Sequence, residues 1–206
     1  MKKIIFGVLL GSFLGAGFAL AQDEALITLV KGDVKIIRGS EVMPATPAFS
    51  FQAGDRVQTG ENCQVDVSLN GMAGCRLLAG SEIGLENISK DTMHLKITSG
   101  NAILNLDKLP AGSSFKVETP TAIAAVRGTQ FWGRVEASLP DNPVTTFAVR
   151  EGTVEIFAKI AEKTYTLNAG QALDIPSIET AVPVIRPALE GEMAAMAQAD
   201  AIRTAA

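Results

Sequence analysis

The chain has 206 residues, 47 % of them hydrophobic and 19 % charged, with a formal net charge of −4. That balance excludes an overall basic nucleic-acid binder and argues against adhesion to an anionic membrane surface. The length suits one sizeable domain with enough core to fold alone.

Lys2 and Lys3 form a small positive region ahead of Ile4 to Ala21, a run of apolar or small residues without charge. Ala19-Leu20-Ala21 fits the small-x-small rule for a signal peptidase. Residues 1–21 are therefore predicted to be a cleaved signal peptide, with Gln22 as the mature start and a periplasmic or secreted destination. An uncleaved anchor helix is the alternative, since about 18 apolar residues just span a bilayer, but Gly11, Gly15 and Gly17 make a poor anchor. No cysteine follows the apolar run, which argues against a lipoprotein, and no later apolar run is long enough to span a membrane. Cleavage would remove two lysines and no acid, leaving 16 basic and 22 acidic residues, a net of −6.

Residues 22–176 alternate apolar with polar positions almost throughout. "DVKIIR", "CQVDVSL", "MHLKIT", "FKVET", "TFAVR" and "TVEIFA" read as half-buried strands. A glycine repeatedly opens such a strand, at Gly32, Gly54, Gly80, Gly100, Gly112, Gly128, Gly152 and Gly170. Many short strands with frequent turn signals predict an all-β fold, either a sandwich, a barrel or an irregular solenoid. In "TTFAVREGTVEIF", Glu151-Gly152 reads as a two-residue hairpin turn that sets Val149 against Val154 and Phe147 against Ile156.

Cys63 and Cys75 flank a second hairpin signal, Asn70-Gly71. A disulfide is compatible with an oxidising compartment, and so is a pair of buried free thiols. A strict two-residue turn does not set the two cysteines opposite each other, so a bridge requires a longer loop or a bulge.

The segment "TPTAIAAVRGTQF", residues 119 to 131, places one permanent charge, Arg127, inside an apolar run. With Gly128 as a corner between strands 121–126 and 129–135, Arg127 is predicted to bend over the core. A buried guanidinium must be paired or anchored to carbonyls, and Glu118, Glu151 or the backbone of the adjacent turn are the candidate acceptors. A ligand-facing arginine is the alternative. In "TQFWGRV", Phe131 and Val135 share one parity, Trp132 and Arg134 the other. With Phe131 in the core, the sole tryptophan faces outward beside an arginine, either as a contact surface or beneath a loop or the C-terminal tail. "SLPDNPVTT", residues 138 to 146, is a further candidate contact edge.

Residues 177–206 change character. Pro176, Pro183 and Pro187 punctuate an extended spacer, and an Ala- and Met-rich stretch of high helix propensity follows. It reads either as a frayed tail or as a short helix docked on the β-domain or a partner.

"FKVETPTAIAAVRGTQFWGRV", followed by "TTFAVREGTVEIF" and "LNAGQALDI", resembles the FecR domain. Upstream, "GDVKIIRG", "AGDRVQTGENCQVDVSL" and "LKITSGNAILNL" fit the same pattern in the same order, so the resemblance spans about residues 26 to 176. Thr119, Pro120, Arg127, Gly128, Thr129 and Phe131 carry its most specific part. The resemblance implies an extracytoplasmic twisted β-solenoid or sandwich. The family's regulators of iron-citrate transport receive a signal from an outer-membrane receptor and control a sigma factor from a cytoplasmic segment. Only two lysines precede the apolar run here, so no sigma-factor contact is expected, and the layout is similar to a stand-alone exported FecR domain.

Catalytic chemistry finds little support. His94 is the sole histidine, on the outward parity of a strand beside Lys96. A zinc site needs three or four convergent ligands, a serine nucleophile needs an activating base, and no Gly-x-Ser-x-Gly elbow is present. The expectation is a non-enzymatic protein without cofactor or metal, acting either as a protein-interaction or signal-sensing module of the envelope or as an envelope-associated structural or glycan-binding domain. Trp132 and Tyr165 are the only Trp and Tyr, too few for a carbohydrate platform, which favours an envelope protein as partner over peptidoglycan or another glycan.

Overall fold

The computed structural model describes residues 25–89, 91–137, 142–178, 181–200 and 202. The predicted signal peptide, Gln22 and residues 138 to 141 of the Pro/Asn/Asp loop lie outside them.

The strands in chain order are β1 (Ala25–Lys31), β2 (Val34–Arg38), β3 (Glu41–Pro44), β4 (Ser50–Phe51), β5 (Asp55–Thr59), β6 (Gln64–Leu69), β7 (Ala73–Leu77), β8 (Glu82–Ile88) and β9 (Thr92–Leu106). They continue with β10 (Ser114–Glu118), β11 (Ala122–Val126), β12 (Gln130–Ala137), β13 (Pro143–Glu151), β14 (Thr153–Ala158), β15 (Lys163–Asn168), β16 (Gln171–Ile175) and β17 (Val184–Pro187). One helix follows, α1 (Glu190–Ala197).

The strands form one mixed, open network folded into two layers. The first sheet runs β4-β1-β6-β7-β9-β12-β13-β16-β17. The second runs β3-β2-β5-β8-β9-β10-β11-β14-β15. The 15-residue β9 belongs to both: its start pairs in the second sheet and its end in the first. Pairing is antiparallel except between β9 and β10. The all-β architecture is thus a two-layered winding, not a closed barrel.

Alternation dictates this arrangement. On β14, Val154, Ile156 and Ala158 are fully buried, while Thr153, Glu155 and Phe157 are exposed. The inward residues of both sheets merge into one core that includes Phe51, Phe115, Phe131 and Phe147. A period of two gives each strand one dry and one outer face, and two such sheets bury their dry faces on each other.

The recurring glycines mark where the chain changes layer. Gly32 lies between β1 and β2, Gly54 between β4 and β5, Gly80 between β7 and β8, and Gly100 within β9 where it leaves one sheet for the other. Gly112, Gly128, Gly152 and Gly170 serve the next four crossings. All eight have positive φ. The two remaining crossings use Ala48 and Asn62, also at positive φ. A left-handed residue redirects a strand within one position, which an L side chain tolerates poorly. At Gly100 a Cβ would also meet the Ser81 Cα at 2.5 Å and the Gly80 oxygen at 2.6 Å.

This corrects the hairpin expected at Glu151-Gly152. β13 pairs with β12 and β16, whereas β14 pairs with β11 and β15. Val149, Phe147, Val154 and Ile156 are all buried, yet they enter the core from opposite layers. Alternation plus a turn dipeptide cannot separate a hairpin from a crossing, because both place apolar residues of two strands together. The Asn70-Gly71 turn is a true hairpin with Leu69 opposite Ala73 and a three-residue loop.

Candidate interaction surfaces

The Thr-Pro-Thr start of the motif is structural. Thr119, Thr121 and Thr145 are buried to at least 98 %. The Thr121 hydroxyl donates to Thr145 Oγ1 at 2.7 Å, and the Thr145 hydroxyl to Thr119 Oγ1 at 3.0 Å. Thr119 donates to the Ala122 oxygen at 3.2 Å and accepts from its N–H at 3.0 Å. The chain of hydroxyls ties β13 of the first sheet to the turn before β11 of the second and satisfies polar groups that burial would otherwise penalise. Pro120 is exposed beside it, and Phe131 lies in the core 6.3 Å from the Phe147 ring centroid. Thr129 is fully buried, and its backbone oxygen accepts from the Leu106 N–H.

Arg127 is not where the sequence reading put it. It is exposed, just before the Gly128 crossing. It makes no side-chain hydrogen bond or ion pair with a described residue. The crossing turns its side chain outward, away from the core that receives Ala124 and Val126. Of the expected acceptors, Glu118 instead takes a 2.9 Å bond from Lys159 Nζ and lies 3.2 Å from His94 Nε2. The Lys159 bond, against the opposing effect of burial, holds the Glu118 carboxyl below its usual range. Arg127 borders two open depressions: one of about 560 Å³ shared with Lys116, Ala125 and Glu155, and one of about 390 Å³ shared with Lys108.

Trp132 faces outward from the first sheet, as parity requires, but it is 7 % exposed because the C-terminal segment covers it. It joins a second apolar cluster with Ile103, Ala148, Ala172, Met196 and Ile202. Its contact partner is thus this chain's own tail. Arg134 is half-buried, with its guanidinium carbon 5.8 Å from the indole centroid, and it ion-pairs with Glu136.

Residues the sequence reading passed over hold the tail in place. The buried Gln130 donates to the Met196 oxygen and to Asp200 Oδ1, both at 2.9 Å, and accepts from Arg150 Nη1 at 2.7 Å. Arg150 also ion-pairs with Asp200. Arg76 forks onto Asp66 at 2.7 and 2.6 Å and reaches the Gln198 oxygen at 2.8 Å. Arg186 bridges Asp174 and Glu192, and Glu192 accepts from the Leu189 N–H at 2.7 Å at the start of α1. Burial acts to raise the Asp174 pKa, but the bonds from Arg186 and Thr146 outweigh it and hold the carboxyl below its ordinary value. Gly74 leaves a slot for Ile202: a Cβ there would lie 2.3 Å from Ile202 Cγ2. Gln130, Gly74 and Trp132 face outward from the first sheet, whereas Ile202 lies far away in sequence and outside any strand. Parity was the only signal available.

The two cysteines are free and buried. Cys75 pairs opposite Val67, four residues beyond Cys63. At about 3.3 Å per residue that offset is roughly 13 Å, well past the ~7 Å Cα limit for a bridge. Burial, helped by the Asp66 charge, pushes the Cys75 thiol pKa up, which keeps it a protonated, inert core residue. Among the described residues no cluster of three or more His, Cys, Asp or Glu could hold a metal, and no helix is long and apolar enough to cross a membrane.

A two-layered β-scaffold with glycine crossings, one covered outer face and an exposed motif arginine belongs to the all-β, non-barrel class of domains. The family model described as FecR protein matches residues 55–155, and this stretch is a FecR domain. No curated relative matches it. Two crystal structures of a "putative anti-sigma factor" from Parabacteroides distasonis are similar in fold, each with a TM-score of 0.58 and 18 % sequence identity. Each match covers 69 % of this chain and 64 % of that one, so the likeness spans less than two thirds of the neighbour's length.

Proposed function

We propose that this protein is an exported, non-enzymatic FecR-domain module that binds a partner protein in envelope signalling. The observation that carries the reading is Arg127. The family's most specific run delivers a permanent charge to the surface, where no described residue pairs with it. An arginine that stabilises nothing internally is free to recognise something external. The fold's likeness to a protein described as an anti-sigma factor supports a signalling setting, and the Lys2-Lys3 and Ala19-Leu20-Ala21 pattern supports export.

Affinity capture from envelope extract tests it, comparing wild type with Arg127→Ala. A specific protein retained by wild type and lost by the variant, at equal melting temperature, supports the reading. Equal retention by both overturns it. N-terminal sequencing of the protein from the envelope fraction should begin at Gln22, and an intact Met1 in the membrane pellet would contradict cleavage.

A further inference from the structure

We infer that the open outer face of the second sheet, around Ala125, is the docking surface, and that its occupant is an extended polypeptide segment carrying carboxylates beside an apolar side chain. The inference rests on the protein-binding role proposed above and names the place and the chemistry.

The register fixes which residues share this face. Ala125 lies opposite Lys116 on one side and Glu155 on the other. Arg127 immediately follows β11, two positions and about 7 Å beyond Ala125, and lines the same depression. The next row holds Ile123 between Glu118 and Phe157. Ala125 is the small residue among long neighbours, so it forms the floor of the 560 Å³ depression, with Lys116, Arg127 and Glu155 as its walls. Phe157, in that next row, is 40 % exposed.

Charge selects the occupant. In the Ile123 row the cations are answered: Glu118 meets Lys159 and His94 and lies opposite Lys96. Around Ala125 they are not. Lys108, Lys116 and Arg127 are all exposed, and none of the three pairs with a described residue. These three cations outnumber the two acids at the same corner, Asp107 and Glu155, and the local excess of positive charge attracts a negative partner. Glu155 in the wall repels a polyphosphate or other uniform polyanion, while it accepts N–H groups of a peptide backbone. The neighbouring Phe157 and Ile123 supply apolar contact that a polypeptide uses and an inorganic anion does not.

The test is a display selection of random 12-residue peptides on the full chain, run beside a Lys116→Glu/Arg127→Glu variant whose melting temperature confirms folding. Should that pair not fold, Arg127→Glu alone replaces it. Wild type should enrich peptides with two or more acids around an apolar residue. The leading peptide should bind the variant at least tenfold more weakly and shift the amide resonances of Ser114, Ala125 and Thr153. An equimolar charge of inorganic polyphosphate should not compete. Enriched peptides without acidic bias, undiminished binding to the variant, or effective competition by polyphosphate overturns the inference. Tight peptides whose amide shifts map to another surface overturn the location while leaving the protein-binding role intact.

Discussion

The outer faces of the two sheets are built from strands of the same alternating pattern, but they meet different fates. On the first sheet, Ile103, Trp132, Ala148 and Ala172 lie beneath Met196, Ala199 and Ile202 of the C-terminal segment. On the second, Lys116, Ala125, Arg127, Glu155 and Phe157 face outward with no described element across them. The two faces also differ in kind. The covered one holds small and aromatic apolar groups ringed by Gln130, Arg76, Arg150 and Arg186, each of which reaches into the tail. The open one holds charges whose partners are missing. A face that is apolar with a polar rim is finished by the chain itself, and a face with unanswered charge is left for another molecule.

Trp132→Ala breaks this comparison hardest. Removing a nearly buried indole from under α1 should cost about 3–5 kcal/mol, read as a lower urea midpoint. A loss below 1 kcal/mol would mean that the tail does not pack on this face in solution.

Gly74→Val attacks the covered face without touching the core between the sheets. The new side chain takes the place of Ile202, a cost of about 1–3 kcal/mol that undocking relieves. Trp132 is the sole tryptophan, so its emission reports the tail directly. A red shift with an unchanged far-ultraviolet spectrum is expected. Unshifted emission would show that Ile202 is dispensable to the cover.

Acid should loosen the same attachment. The folded pKa of Asp174 lies below its unfolded value of 3.8. Its contribution is therefore fully present above about pH 4 and is lost as pH falls through the lower folded value. Stability of wild type should decline over that window, and Asp174→Asn should start lower at pH 7 and decline less steeply. Parallel acid limbs for the two proteins would remove Asp174 from the account. Glu118, also held low, should add to the wild-type decline in the same direction.

The smallest effect belongs to the open face. Arg127→Ala should change the midpoint by no more than about 0.5 kcal/mol, as for an exposed residue without partners. A loss of several kcal/mol would restore Arg127 to a structural role and collapse the distinction between the faces.

Alternation alone assigned the facing of stretches such as β12 and β13, and hence that Phe131, Val135, Phe147 and Val149 would be core. The sequence also marked the bends, since the eight glycines that open strands all adopt positive φ. Both are local: side-chain direction has a period of two, and backbone freedom belongs to one residue. Long-range packing set the rest. It made Gly152 a crossing instead of a hairpin, separated Cys63 from Cys75 by register, turned Arg127 out, and drew Gln130, Gly74 and Ile202 together across 72 and 128 positions of chain. Parity says which side of a sheet a residue faces. What lies across that side, protein or water, depends on where distant strands and the C-terminal helix pack, and no local pattern encodes it.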